Sequence, residues 1–202
     1  MPKIVWVGCQ KWDKAYPEAP LPGHAVQMQA PEHMLLETIK FAVFPTLLCF
    51  AALFCKRWIC HAFPMDRRFV FWGILAGLLL IPVHEVLHAV CYLRHATVYI
   101  GLSPEKFAAF TVCHEPISKR RFIVMSLLPA VLGIVPLCLF ILFPVSWQIA
   151  SAVCWPAGMI GLVSPCQDYW DVHNVRKHVA DGASIQSQND GWYWYLPAPQ
   201  SL

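Results

Sequence analysis

The sequence predicts a membrane all-α fold: about four transmembrane helices, with a small β-hairpin between the second and the third. Three observations carry that prediction. The 202 residues are 57% hydrophobic, with a mean hydropathy of +0.49. Only 13% are charged, against about 25% in soluble domains, which leaves too little polar material for a water-facing surface. The apolar residues also gather into four runs of about the 20 residues that a ~30 Å hydrocarbon core requires. A formal net charge of +3 is mild and gives no basic stripe for a nucleic acid. The expected partner on these figures is the lipid bilayer, not nucleic acid. The expected location is that of a multi-pass integral protein of the cell (cytoplasmic) membrane.

Residues 1–33 carry Pro17, Pro20, Pro22 and Pro31 and read as a mostly irregular N-terminal arm. The first span runs from about Leu35 to Cys55, and the second from about Phe69 to Leu93. The third covers about Phe122 to Phe143, and the fourth about Trp147 to Val163 with a continuation past Pro165. No water in the hydrocarbon can satisfy backbone groups, so each span should be a helix. Pro45, Pro82, Pro129, Pro136 and Pro156 lie inside them and should kink them. Between the second and third spans, Thr97–Leu102 and Phe107–Cys113 are rich in β-formers and flank Ser103-Pro104-Glu105-Lys106. That pattern predicts a hairpin. Residues 34–195 are read as one membrane-embedded domain, with 196–202 as a C-terminal tail. Ahead of the tail, the aromatic run in DGWYWY would suit a membrane interface. The nine cysteines lie mostly in apolar runs and read as reduced thiols rather than a disulfide framework.

One constellation carries chemistry. His84-Glu85-Val86-Leu87-His88 stands inside the second span. At 100° per residue the two histidines share a helix face one turn apart. Two imidazoles so spaced can grip one zinc ion, with the adjacent glutamate as general base. A charged residue at mid-bilayer costs about 2.5–3.5 kcal/mol on insertion scales, so intramembrane ionisable groups mark function. Pro82 frees the carbonyl of Leu78 and opens the helix just before His84. Zinc needs a third protein ligand, and the polar step after the fourth span offers Asp168 and Asp171, three residues apart. Cys91 and His95 extrapolate to the same helix face as His84 but lie too far along it to share its metal.

The order of these features resembles the putative zincin peptidase family of small multi-pass membrane proteins. The carriers are HEVLHA in a span, the β-hairpin, Ser126-Leu127-Leu128-Pro129 in the next span, the Gln167-Asp168 step and the tail KHVADGASIQSQNDGWYWY. The likeness runs over roughly residues 70–195, with Gln167 where the family has glycine. The chain is more distantly similar to site-2 intramembrane metalloproteases. The resemblance implies Zn2+ as cofactor, His84, His88 and Asp168 as metal ligands, and Glu85 as the catalytic base. It implies a zinc metalloendopeptidase that hydrolyses peptide bonds of membrane-associated substrates, its partner being a membrane protein or peptide substrate. The alternatives are a non-catalytic membrane adaptor with a structural metal site, or a metal-handling or haem-binding protein that uses the histidines and Cys91.

Overall fold

The structure, a computed structural model, describes residues 1–11, 13–31, 33–106 and 108–197. Positions 12 and 32 of the expected arm, Phe107 of the expected hairpin and residues 198–202 of the expected tail lie outside the described residues. The chain is mostly helical with small sheets, and among the described residues four helices are long and apolar enough to cross a membrane: Met34–Cys60, Arg67–Val90, Lys119–Leu142 and Gln148–His178. Contacts divide the chain into two compact units, one of residues 33–84 and 127–170, the other of residues 1–32, 85–126 and 171–202.

The first of these units is helical. Helix α1 is Met34–Cys60, and a 3-10 turn at Arg67–Phe69 leads into α2 (Val70–Leu79). The unit's other helices are α5 (Val131–Leu142) and α6 (Gln148–Val163), while α3 (Ile81–Val90) and α7 (Cys166–His178) each run from it into the other unit, to which almost all of α4 (Lys119–Leu127) belongs. Three of the apolar runs are therefore broken, each beside a proline: Pro82 in the first turn of α3, Pro129 in the 3-10 turn between α4 and α5, and Pro165 between α6 and α7. Each lacks the N–H that would continue the ladder. Pro45, Pro136 and Pro156 lie within α1, α5 and α6, which run on past them.

Small residues set the packing around α6. A Cβ added at Gly73 would meet the Ala152 carbonyl oxygen at 2.7 Å, and one at Gly161 would meet the Gly133 Cα at 2.7 Å. Gly73 and Gly77 form the small-xxx-small stripe that lets backbones approach closely. A core of Cys49, Met65, Leu137, Phe140, Ala152 and Leu162 fills the rest. Lys56, only 8% exposed, donates to the carbonyls of Phe140 and Phe143 and so caps the end of α5.

The second unit holds two sheets. Strand β1 (Lys3–Cys9) pairs in parallel with β3 (Thr97–Ser103), which pairs antiparallel with β4 (Ala108–Val112). The arm expected to be mostly irregular thus opens on a strand. Its register slips between Trp6 and Cys9, where Gly8 takes φ +71°, the left-handed conformation that a bulge demands of glycine. The other sheet runs β2 (Val26–Gln27), β7 (Gly191–Tyr195), β6 (Ser184–Gln188), β5 (Ile117–Ser118). The DGWYWY aromatics are therefore a strand, and Trp192 meets Phe122 edge-on at 5.2 Å. The core gathers Ala89, Val98, Ile100, Phe122, Val175 and Ile185. All nine cysteines are free thiols.

Candidate metal centre

Helix α3 begins directly after the last turn of α2, where the Leu80 N–H still bonds back to Ala76 and Gly77. The ladder resumes with the His84 N–H on the Leu80 carbonyl at 2.9 Å. His84, Glu85 and His88 then follow on one unbroken helix, and the two imidazoles stand one turn apart. The helix ends at Val90. Cys91 and His95 lie beyond it, so the face extrapolated from His84 does not reach them, which corrects that part of the sequence reading.

Asp168 sits in the first turn of α7. The break at Pro165 starts that helix just ahead of it, and Tyr169 ties the new turn back by donating its hydroxyl to the Leu162 carbonyl at 3.0 Å. Asp168 Oδ2 lies 3.2 Å from His84 Nε2, with the two side chains only 18% and 13% exposed. One ligand atom from each of His84, His88 and Asp168 lies within 4.8 Å of the others. Asp171 follows one turn further along α7.

The donor set fits zinc. Two imidazole nitrogens and one carboxylate oxygen are zinc's preferred ligands, and bonds of about 2.0–2.2 Å in tetrahedral array separate ligand atoms by roughly 3.4 Å. The 3.2 Å between His84 and Asp168 is close to that edge. His88 is pre-set for the same task. Its Nδ1 stands 3.0 Å from the Met125 carbonyl oxygen. A carbonyl only accepts, so Nδ1 carries the hydrogen and Nε2 keeps its lone pair for a metal.

That carbonyl is available for a reason written in the sequence. In a helix the Met125 oxygen would accept from the N–H of residue 129, but residue 129 is proline and has none. Pro129 therefore leaves the Met125 oxygen for His88. The sequence shows Pro129, but not which side chain would use the freed oxygen. A second contact was equally invisible: Thr111 on β4 donates its hydroxyl to the Glu85 carbonyl at 2.9 Å. Thr111 carried no motif that would have singled it out. In the hydrophobic core that also holds Ala89 and Met125, burial pushes the Tyr92 hydroxyl far above its ordinary value and the Cys113 thiol up to about 11.

Comparison with known families decides the relationship. A family model described as putative zincin peptidase matches residues 77–180. The chain belongs to that family. No curated protein and no solved structure matches it. The zincin-family segment begins near the end of α2 and runs just past α7, so it encloses His84, Glu85, His88 and Asp168. It also encloses the two outer contacts, from Met125 and Thr111.

Proposed function

We propose that the protein is a zinc-dependent, membrane-embedded metallopeptidase that hydrolyses peptide bonds of membrane-associated substrates in the cell membrane. The observation that carries this reading is the convergence of His84, His88 and Asp168 next to a glutamate. Family membership supports a peptidase, and four apolar helices support the bilayer.

His84, His88 and Asp168 hold the ion, with Met125 fixing the His88 tautomer. Zinc bound there supplies Lewis acidity that polarises a carbonyl and brings the acidity of water towards neutrality. Glu85, one residue from the first ligand, takes the proton of the attacking water and returns it to the leaving amine. Substrate is held by β4, which forms the outer edge of its three-stranded sheet. An extended peptide can add to such an edge through backbone hydrogen bonds, and Thr111 ties the strand to the helix of the base.

Metal analysis of the purified protein tests the reading. About one zinc per chain is expected in wild type and near none in His88→Ala. Glu85→Gln should keep its zinc and lose on the order of 10²–10⁴-fold in peptide hydrolysis, the usual worth of a positioned base. Full zinc occupancy in His88→Ala, or equal turnover by Glu85→Gln, would overturn it.

A further inference from the structure

Away from the metal centre, the end of α1 and the chain that follows it form an open surface pocket of about 620 Å³, lined by Phe54, Arg57, Trp58, His61, Phe63 and Arg67 among others. His61 turns the chain there, with φ 50° in the left-handed region. Two cations stand over the Phe63 ring: the Arg67 guanidinium is 5.0 Å from its centroid and that of Arg57 is 6.0 Å. No carboxylate lines the pocket among the described residues. The nearest in sequence, Asp66, is engaged with Arg68 at 2.7 Å. Trp58 is 81% exposed and Phe54 62%.

We infer that this pocket binds the headgroup phosphate of an anionic phospholipid, with Arg57 and Arg67 as its two charged contacts. The inference goes beyond the proposed peptidase and rests on its membrane placement alone. Charge decides the sign of the ligand. The C-terminus of α1 presents roughly half a negative charge, against two full positive charges from the arginines. Guanidinium groups suit phosphate because their planar forks bind its oxygens in pairs, and stacking on Phe63 holds them in place. Position decides the kind of anion. The pocket lies where α1, an apolar helix long enough to cross a bilayer, gives way to a basic loop, the level at which aromatic and basic residues meet headgroups. Trp58 and Phe54 then lie beside the glycerol and upper acyl chain.

Lipid competition on the full-length protein in mixed micelles, read by native mass spectrometry, tests this. The probes are phosphatidylglycerol, phosphatidylcholine and inorganic phosphate. Wild type should retain phosphatidylglycerol over phosphatidylcholine. The R57Q/R67Q double variant should lose that preference by on the order of 30-fold, the effect of two charges at an anionic surface. Each single variant should lose about fivefold, which keeps the test decisive if the double variant does not fold. Arg68→Gln, whose guanidinium is paired with Asp66, should keep the preference. Equal preference in wild type and the Arg57 and Arg67 variants, with all of them retained in detergent, overturns the pocket alone. Displacement of the lipid by inorganic phosphate also overturns it, because the site would then take free anions. A wild-type protein that stays monodisperse in water without detergent overturns the membrane placement and this inference with it, whereas zinc content reads the metal centre independently.

Discussion

At the scale of single residues, His88 owes its orientation to a proline four positions beyond its hydrogen-bond partner. Pro129→Ala restores an N–H that competes for the Met125 oxygen, so the imidazole loses its fixed tautomer. Zinc affinity should fall about 10–100-fold, the usual effect of removing an outer contact to a ligand histidine. Titration against a chelator measures it, and an unchanged affinity would mean that the carbonyl holds His88 without help from Pro129. The two aspartates of α7 separate in the same assay. Asp168 faces His84 at 3.2 Å, so Asp168→Ala removes the proposed third ligand and should cost more than the ~100-fold upper range for outer contacts. Asp171→Ala should cost less than tenfold, and the reverse ranking would move the ligand by one helical turn.

Whole elements here depend on glycine. A Cβ at Gly133 would run into the backbone of Gly161 and Leu162, so α5 and α6 could only admit it by moving apart. Gly133→Ala should destabilise by about 1–3 kcal/mol, as overpacking does. Gly23→Ala, with nothing within 4 Å of the new atom, should stay within about 0.5 kcal/mol. Thermal unfolding in detergent compares the two, and equal midpoints would refute the close approach. Elements also show what was readable in advance. The His84/His88 pair was legible because its geometry is local to one helix, and the four apolar runs because their lengths answer to a fixed thickness. Asp168 is 84 residues from His84 in sequence, so spacing could not choose it over Asp171. The parallel pairing of Lys3–Cys9 with Thr97–Ser103 likewise depends on a partner that no local pattern names. Extrapolation failed where a helix stopped: Cys91 and His95 fit the His84 face only while α3 continues, and it ends at Val90.

For the molecule as a whole, the decisive property is what the apolar helices leave uncovered. Phe44, Leu47, Phe71, Leu79 and Leu142 are all more than 60% exposed, and they fall on α1, α2 and α5 alike. In water, each fully uncovered side chain forgoes about 1.5–3 kcal/mol of burial, a loss that recurs on three helices and that no small domain can offset. In a bilayer the same side chains are already solvated by hydrocarbon. The protein should therefore stay with membranes through an alkaline carbonate wash, and release into the supernatant would refute the membrane placement. A point substitution probes the same balance. Leu47 lies mid-way along α1 and is 63% exposed, so Leu47→Arg would place a cation in the hydrocarbon. Exchanging a favourable leucine for an arginine near the helix centre should shift insertion of α1 by about 3 kcal/mol, more than a hundredfold in the equilibrium. Glycosylation mapping of α1 reads that shift directly. Lys56→Arg, at a side chain that is itself buried near the end of the same helix, can still donate to the carbonyls of Phe140 and Phe143 and should insert as wild type does. Equal insertion of Leu47→Arg and wild type would mean that Leu47 does not face lipid.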